Sequence, residues 1–444
     1  MGQKHFHGGV HPPANKHWTE SKQTEKAPLP EEVIIPLQQH IGAPAEPLVQ
    51  KGDTVLTGQM IGKSAKYVSV PVHATVSGTI AAIENRPHPF GLDMLSVVIR
   101  SDGEDRWKKP PEKDPDFLKL SPDDIKTRIM QAGIAGMGGA SFPTHVKLSP
   151  PATKVIDTII LNGAECEPYL TADHRLMLEK PKEIMHGLAV MMRILNVTNA
   201  FIGIEDNKPD AIRIFEKILR KNKKIKVVPL HVKYPQGGEK QLIKAVINRV
   251  VPAGGLPMDI GCIVHNVGTA FSVYEAVAFQ KPLIERIVTV TGSAVREPKN
   301  LLVRIGTPFH HVIGFCGGLA SERIKIIHGG PMMGISQTTD KVPVIKGTSG
   351  ILALNGNHLS LKTESPCIGC ARCVDICPMK LVPTQLGKLV KHNRIETLDK
   401  MGIMQCMECG CCGYICPAKI PLVQYIKLGK ALWTERQRQQ DIRA

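Results

Sequence analysis

The chain has 444 residues, of which 42% are hydrophobic, and a formal net charge of +16. This length exceeds what one hydrophobic core supports, so several domains are expected, and no apolar run is long enough to predict a transmembrane helix. No secretory leader is visible either, so we expect a cytoplasmic location. The excess of basic over acidic residues favours an acidic partner. Since the sequence contains no nucleic-acid-binding motif, we expect no nucleic acid to bind.

Residues 33–100 contain several short segments of strand-forming residues, including "EEVIIPL", "YVSVPV", "ATVSGTIAAIE" and "MLSVVI". Turn sequences such as "QKGD" and "VSGT" separate them. This spacing predicts a compact β sandwich or barrel. Residues 101–124 are charged and rich in Pro and Asp, which predicts a linker.

From residue 155 onward, apolar strand patterns alternate with helical patterns. The strands are "KVIDTIILNG", "AFIGIE" and "IKVVPLHV", and the helices include "EIMHGLAVMMRIL", "PDAIRIFEKILRK" and "GEKQLIKAVINRV". Such alternation predicts a parallel sheet with helices packed on it. Ligands of these sheets bind beyond the carboxyl ends of the strands, where the loop 162–168 is expected to lie.

Residues 286–355 return to short strands such as "RIVTVTGSAV" and "RIKIIHGG", which indicate a small mixed β domain. A cysteine-rich region follows. The last stretch, "PLVQYIKLGKALWTERQRQQ", predicts a terminal helix.

The cysteine-rich region carries the most specific motif of the chain. Nine of the 12 cysteines lie between residues 367 and 416, and in a reducing compartment cysteines indicate metal binding more often than disulfides. Two runs, "CIGCARCVDICP" and "CMECGCCGYICP", both follow C-x₂-C-x₂-C-x₃-C-P. This pattern predicts two [4Fe–4S] clusters. A zinc site is the alternative, but zinc does not require this pattern twice.

In this motif the fourth cysteine of each run serves the cluster built on the other run. The first cluster is therefore predicted to take Cys367, Cys370, Cys373 and Cys416. The second is predicted to take Cys406, Cys409, Cys412 and Cys377. Cys411 is left over, and we favour a buried packing role for it over a redox-active thiol.

A glycine-rich loop, "GIAGMGGASFPTHVK", lies upstream of the parallel sheet. Gly136, Gly138 and Gly139 lack Cβ atoms, so their N–H groups can approach a phosphate or a planar ring. Lys147 can neutralise a phosphate. On its own, such a loop is more often a tight turn.

Three further stretches carry polar residues where strands end or helices begin. Taken separately, each is typical of a helix cap or a turn. The residues concerned are Asn162, Glu165 and Glu167 in "LNGAECEP", Gly237, Gly238 and Glu239 in "YPQGGEKQ", and Asn266 and Thr269 in "HNVGTAFSVYEA".

Together these stretches resemble the C subunit of Rnf-type electron-transport complexes. The resemblance includes "FHGGVHPPANK", "GMGGASFPTHVK", "NGAECEPYLTADHRLM", "VHNVGTAFSVYEA" and the paired cysteine runs. The central part is similar to the NADH-binding flavoprotein subunit of respiratory complex I. The paired cysteine runs, where that flavoprotein has a single-cluster motif, favour the Rnf family.

The resemblance implies a multidomain α/β and α+β fold with four parts. The implied parts are a barrel-sandwich hybrid resembling biotinyl domains (1–110), a Rossmann-like FMN and NADH domain (111–285), a β-grasp soluble-ligand-binding domain (286–356), and a ferredoxin-like two-cluster helical domain with the terminal helix (357–444).

The resemblance also implies a set of cofactor contacts. Phe142 would stack on the nicotinamide nucleotide, and Glu167 would contact it. The complex I pattern has acidic residues where Ala164 and Lys240 stand in this chain. The residues implied to line FMN are Gly136, Gly138, Gly139, Lys147, Asn162, Glu165, Glu239, Asn266 and Thr269.

The implied function is that of a peripheral subunit on the cytoplasmic face of the plasma (inner) membrane. Electrons would pass between NAD(H), as substrate, and ferredoxin or a ferredoxin-like subunit through FMN and the two clusters, while other subunits of the complex translocate Na⁺ or H⁺. No acid–base catalytic residue is expected. One alternative is an iron–sulfur relay scaffold without its own flavin or NADH site, and another is a binding module without clusters.

Overall fold

The computed structural model describes residues 5–321, 323–356 and 363–443. Their strands form four sheets, of six, four, four and three strands, and most helices pack on one of the four-stranded sheets or lie in the C-terminal region. The predicted mixture of β, α/β and helical parts is confirmed.

The N-terminal region contains two small antiparallel sheets around one core. The orders are β2-β8-β7-β4 and β3-β5-β6. Alternating side chains such as Val33, Ile35, Val97 and Ile99 point between the sheets and are fully buried. The strands are β2 (Glu32–Pro36), β3 (Ala45–Pro47), β4 (Thr54–Val55), β5 (Met60–Ser64), β6 (Val72–His73), β7 (Gly78–Pro87) and β8 (Asp93–Ser101).

The central region is a parallel sheet with helices packed on it, as predicted, and the helices lie on both faces. The strand order is β11-β10-β9-β12, and every neighbouring pair is parallel. Helices α1, α4, α5 and α7 cover one face and α6 covers the other. The strands are β9 (Thr158–Gly163), β10 (Asn199–Glu205), β11 (Ile225–Leu230) and β12 (Cys262–Asn266). The helices are α1 (Pro122–Gln131), α2 (Thr144–Lys147), α3 (Ala172–Glu179), α4 (Pro181–Leu195), α5 (Pro209–Leu219), α6 (Glu239–Ile247) and α7 (Val267–Phe279).

The strand order places a crevice at the carboxyl edge of this sheet. After β9 the chain crosses to β10 on one side, whereas β12 adds on the other side of β9. The loops that leave β9 and β12 therefore run in opposite directions and leave a gap between them. Open α/β sheets bind ligands in this gap. Local sequence supports the arrangement: Asn266 caps α7 by accepting from the N–H of Gly268 at 2.7 Å, and Pro181 begins α4.

The third region is a six-stranded mixed sheet, ordered β1-β14-β13-β17-β15-β16, with helix α8 packed on it. Its edge strand β1 (Thr24–Lys26) comes from the N-terminal segment and pairs in parallel with β14. The other elements are β13 (Glu285–Thr291), β14 (Lys299–Arg304), α8 (Phe309–Phe315), β15 (Ile324–His328), β16 (Ile335–Gln337) and β17 (Gly350–Asn355).

The C-terminal region is helical and contains the predicted terminal helix. Two short helices and two longer ones alternate along it, and buried Leu386, Leu398 and Ile426 form a core between the longer ones. The helices are α9 (Arg372–Asp375), α10 (Pro383–Lys391), α11 (Cys411–Ile415) and α12 (Leu422–Arg443). None of the helices in the described ranges has the length and apolar character needed to span a bilayer.

The contact between α4 and α7 depends on the absence of one side chain. A Cβ on Gly187 of α4 would lie 1.8 Å from the carbonyl oxygen of Ala270 in α7. We expect Gly187→Ala to destabilise the central region by about 1–3 kcal/mol, because the packed helices would have to separate. The apparent midpoint of denaturant unfolding measures the effect.

Gly314 in α8 provides the matched control, since a Cβ there meets no atom within 4 Å. Gly314→Ala should leave the midpoint unchanged or raise it slightly, since Ala favours helix by up to about 1 kcal/mol. Equal midpoints for the two variants would contradict the close α4–α7 approach.

Candidate functional site

The eight cysteines of the duplicated motif line two cavities. Cys367, Cys370 and Cys373 line the first cavity, together with Cys416 from the second run. The second cavity is lined by Cys406, Cys409, Cys412 and, from the first run, Cys377, and the leftover Cys411 lines it as well. The fold therefore brings together the two crossed sets that the motif spacing predicts.

Short helices produce this crossing. Helices α9 and α11 pack against each other, and each follows a loop that turns through a left-handed residue, Ala371 or Gly410. The fourth cysteine of each run follows its helix and so points into the neighbouring cavity. Backbone N–H groups point at the sulfurs, as in the 3.4 Å contact from Leu381 N to Cys377 Sγ.

The donor chemistry of both cavities fits an iron–sulfur cluster. Each set supplies four sulfur donors, the ligand type that such clusters take. Across the ranges that the structure describes, no three His, Cys, Asp or Glu side chains converge closely enough for a single metal ion. The cysteines instead surround a space, which is the arrangement that a four-iron cubane requires.

The two cavities differ in exposure to solvent. Cys367 and Cys370 are exposed, whereas Cys409 and Cys412 are each 8% exposed. The first cavity thus lies at the surface, and the second faces the rest of the protein.

Cys411 is buried in the wall of the second cavity. It is 1% exposed and packs with Val10, Tyr234 and Cys409. Its sulfur lies 3.9 Å from the carbonyl oxygen of Tyr234. These surroundings are those of a packed apolar residue, the role that the sequence favours for it.

The glycine-rich loop lies against the carboxyl edge of the parallel sheet, and hydrogen bonds join its two ends. Thr144 N–H bonds to Ile134 O at 3.0 Å and Gly136 N–H to Phe142 O at 2.8 Å, which closes the base of the loop. Gly138 lies against β12, because a Cβ there would be 3.1 Å from the Cβ of Asn266. Gly139, with φ of +114°, faces open space.

Several predicted residues meet at this edge through hydrogen bonds. Thr269 accepts from the N–H of Met137 at 2.9 Å, and Asn266 donates to Asp173 at 2.6 Å. Burial, together with the nearby Glu165, raises the pKa of Asp173 to about 7. Glu165 itself accepts from the N–H groups at the start of α3, at 2.7 and 3.2 Å.

On the other side of the crevice, the loop before α6 contacts β9. Asn162 donates to the carbonyl oxygen of Gly237 at 2.8 Å. Lys147, at the end of the glycine-rich loop, forms a 2.6 Å ion pair with Glu239 in the first turn of α6. The structure thus brings the glycine-rich loop, β9, β12 and α6 together around one crevice.

Several buried polar atoms on the elements around this crevice have no hydrogen-bond partner. Within the described ranges, Ser141 Oγ, Thr144 Oγ1, His265 Nε2 and both side-chain polar atoms of Gln236 are buried and make no hydrogen bond. Buried polar groups rarely stay unpaired in folded proteins. Their position on the glycine-rich loop, β12 and the loop before α6 fits a polar cofactor such as a flavin nucleotide.

Glu167, the residue implied to contact the nicotinamide nucleotide, is held within the protein by hydrogen bonds. Its carboxylate accepts from the N–H groups of Met332 and Met333, at 3.1 and 2.8 Å, in the turn after β15. Burial raises the pKa of Glu167 to about 7. Phe142, its expected companion in the nucleotide contact, is half-buried at the end of the glycine-rich loop.

The two departures from the complex I pattern also have structural positions. Ala164 is fully buried against the core beneath α6, and Lys240 reaches the carbonyl oxygen of Pro252 at 3.4 Å. The carbonyl of Ala164 accepts from Lys208 at 2.8 Å. Neither departure removes the crevice.

Sequence reasoning missed two buried lysines behind the loop after β9. Lys208 is 1% exposed and also pairs with Glu205 at 3.2 Å. Lys16 donates to the carbonyl oxygens of Glu165 and Glu167, at 2.9 and 3.0 Å. Burial lowers the pKa of Lys16. Lysine is ordinarily exposed, so a single sequence carries no signal for these roles.

Tyr234, also missed, links the crevice to the second cysteine cavity. It is 2% exposed, and its hydroxyl donates to the carbonyl oxygen of Cys409 at 2.7 Å. Further along the same loop, Gly237 accepts from Asn162. One short loop therefore contacts both the crevice and the second cavity.

Comparison with known families matches four consecutive parts of the chain. The matching models are the RnfC barrel sandwich hybrid domain at residues 4–104, the Nuo51 FMN-binding domain at 129–275, the SLBB domain at 287–336 and the 4Fe-4S dicluster domain at 366–420. These matches confirm the predicted fold class and the predicted FMN and [4Fe–4S] cofactors.

Known relatives match over nearly the full length of this chain. The chain is 49% identical to the C subunit of the proton-translocating ferredoxin:NAD(+) oxidoreductase complex of Clostridium ljungdahlii, covering 96% of this chain and 94% of the relative. It is 47% identical to the C subunit of the Na(+)-translocating ferredoxin:NAD(+) oxidoreductase complex of Acetobacterium woodii, covering 97% and 98%. The C subunit of the ion-translocating oxidoreductase complex of Rhodobacter capsulatus is 44% identical, covering 97% and 83%.

The crossed cysteine sets predict which substitutions act alike. We expect Cys377→Ser to lose the same cluster as Cys406→Ser, and Cys416→Ser the same cluster as Cys370→Ser, because each pair lines one cavity. Iron content should fall by about half in each variant, since one of two similar clusters is lost. Electron paramagnetic resonance of the reduced proteins identifies the remaining cluster.

Cys411→Ser is the matched control from the second run and should keep both signals and the full iron content. The crossing is refuted by a Cys377→Ser spectrum that matches Cys370→Ser instead of Cys406→Ser.

Proposed function

Because the chain belongs to the family of C subunits of ion-translocating ferredoxin:NAD⁺ oxidoreductase complexes, we propose that it passes electrons between NAD(H) and the other subunits of such a complex. The observation that carries the proposal is the loop 231–238. It contacts both the crevice that suits a flavin nucleotide and the cavity lined by the second cysteine set. Electron transfer needs these two sites side by side.

The crevice would hold FMN through the residues that surround it. N–H groups of the glycine-rich loop and the ammonium of Lys147 would bind its phosphate, and the unpartnered Ser141, Thr144 and Gln236 would bind its polar atoms. Asn162 and Asn266, at the ends of β9 and β12, would position the ring.

FMN supplies the exchange between the two-electron chemistry of NAD(H) and the one-electron chemistry of [4Fe–4S] clusters. The protein's own residues position the groups and exclude water. Phe142 would stack on the nicotinamide nucleotide from the end of the glycine-rich loop. Glu167 would fix the turn at Met332 and Met333 against the loop after β9, because its carboxylate bonds to both N–H groups there.

The eight cysteines would hold the two clusters in the crossed sets. The second set lies toward the crevice, since Tyr234 bonds to Cys409. The first set, with Cys367 and Cys370 exposed, lies toward solvent and hence toward a redox partner, ferredoxin or a ferredoxin-like subunit.

We further propose that the chain is peripheral, on the cytoplasmic face of the plasma membrane, where NAD(H) is available to the crevice. We also propose that the predicted ranges 1–110, 111–285, 286–356 and 357–444 act as the domains of the protein. The relay scaffold without a flavin site is the less favoured candidate, because the FMN-binding family model matches residues 129–275.

The proposal is tested with the chain reconstituted with FMN, iron and sulfide. We expect one bound FMN and, on adding NADH anaerobically, bleaching of the flavin absorbance together with cluster signals in electron paramagnetic resonance. Phe142→Ala should raise KM for NADH and retain FMN. A chain that keeps its clusters but binds neither FMN nor NADH would refute the proposal and favour the relay scaffold. Bound FMN that NADH does not reduce would refute the exchange of electrons with NAD(H).

Lys147 offers a more specific prediction. We expect Lys147→Met to weaken FMN binding about tenfold or more, because a charge-assisted hydrogen bond contributes roughly 1.5–3 kcal/mol and each 1.4 kcal/mol is tenfold in affinity. Quenching of flavin fluorescence on titration measures the dissociation constant.

Lys154→Met is the matched control. Lys154 also forms an ion pair, with Asp259 at 2.9 Å, but lies in the loop before β9, outside the residues that surround the crevice. Its FMN affinity should equal that of the unaltered chain. An unchanged affinity in Lys147→Met would remove Lys147 from the site.

A further inference from the structure

A buried lysine joins three regions of the fold at the base of the glycine-rich loop. Lys346 is 1% exposed. Its Nζ donates to the carbonyl oxygen of Gly133 at 2.7 Å and to that of Pro71 at 3.0 Å. Lys346 precedes β17 of the six-stranded sheet, Pro71 precedes β6 of the N-terminal sheets, and Gly133 leads into the glycine-rich loop.

The contact with Lys346 and Pro71 requires glycine at position 133. Its φ is +67°, a conformation that favours glycine, and a Cβ would lie 2.5 Å from Pro71 O and 2.8 Å from Lys346 Nζ. The closed loop begins at the next residue, Ile134, whose carbonyl accepts from Thr144. A displacement of Gly133 would therefore move the whole loop.

Hydrogen bonds fix the main chain of Lys346, so its side chain starts from a fixed position. Lys346 N–H bonds to Gln39 Oε1 at 3.0 Å, and Arg286 donates to the carbonyl of Lys346. Gly347 lies against the far part of the loop, since a Cβ there would be 2.4 Å from Ser141 Oγ. The segment thus contacts the loop both at its base and near its tip.

The side-chain nitrogen gains little from its electrostatic surroundings. Among the described residues no carboxylate forms an ion pair with Lys346, and the titratable side chains that interact with its charge are His40 and His73. Burial and the neighbouring Lys346 hold the pKa of His40 at about 4 and that of His73 at about 3, so both imidazoles are neutral. Burying an amine without an acidic partner is costly. A gain in fold stability therefore does not account for the buried position of Lys346.

We propose that Lys346 is a positioning residue that fixes the glycine-rich loop for FMN by bonding the carbonyls of Gly133 and Pro71. The inference rests on the proposed function of the loop as the FMN site. Lys346 acts through Gly133 and touches neither flavin nor NAD(H). Its loss should therefore lower the affinity for FMN and leave both clusters intact.

The test uses the full reconstituted chain with the variant Lys346→Met, which keeps an unbranched side chain only one atom shorter and removes both hydrogen bonds. We expect the dissociation constant for FMN to rise about tenfold, because the variant loses two hydrogen bonds and each contributes only a modest net free energy. Iron content and cluster signals should stay at their original values. Saturating FMN should restore kcat for NADH oxidation, because the reacting groups are unchanged.

Two further variants separate positioning from loss of packing. Val344→Ala, in the core of the six-stranded sheet close by, should lower the unfolding midpoint without changing FMN affinity. Gly133→Ala should weaken FMN binding, and combining it with Lys346→Met should add little, because both act on one contact. If Lys346→Met does not fold, Gln39→Ala, which releases the main chain of Lys346, should weaken FMN binding by a smaller factor.

FMN affinity in Lys346→Met equal to that of the original chain would overturn the inference, as would additive effects of Gly133→Ala and Lys346→Met. If Lys346→Met does not fold, unchanged affinity in Gln39→Ala would overturn it. An original chain that fails to bind FMN would instead refute the proposed function of the loop. The two failures are therefore distinguishable in the same titration series.

Discussion

Buried lysines that bond to main-chain carbonyls hold the loops around the crevice. Lys208 and Lys16 hold the loop after β9 through the carbonyls of Ala164, Glu165 and Glu167. Lys346 holds the base of the glycine-rich loop. A loop rich in glycine has a large conformational entropy to lose, so fixed donors at its base are an effective way to order it. Three buried lysine side chains thus bond to the loops that surround the crevice.

The parallel register of the central sheet explains why one loop can serve two sites. All four strands end at the same edge, so the loop after β11 passes beside the ends of β9 and β10 before α6 begins. Tyr234 meets Cys409 in the first part of this loop, and Gly237 meets Asn162 in the second. The crevice and the second cavity are thereby connected through one short covalent segment. Such proximity needs no flexible linker between the two centres.

Much of this arrangement could be predicted from local sequence. The cysteine spacing predicts both crossed sets because the turn and helix that join the ligands are encoded within a dozen residues, and alternating periodicity predicts the parallel sheet. The side-chain partners of Glu167 could not be predicted, since Met332 lies 165 residues away. Strand β1 was missed for the same reason, because its partner β14 follows only after the first two regions of the fold. Only tertiary packing brings these segments together.

The contrast between the two cysteine cavities follows from what surrounds each of them. Tyr234, Met332 and Val10 pack with Cys409 and Cys411 of the second cavity, and these three residues come from separate parts of the chain. No such layer covers Cys367 and Cys370 within the described ranges, and the adjacent Ile368 is 70% exposed. Because solvent exposure and N–H···S contacts are among the factors that set cluster potentials, the same ligand motif is placed in two different environments. The duplicated sequence therefore yields two inequivalent sites through tertiary contacts outside the motif.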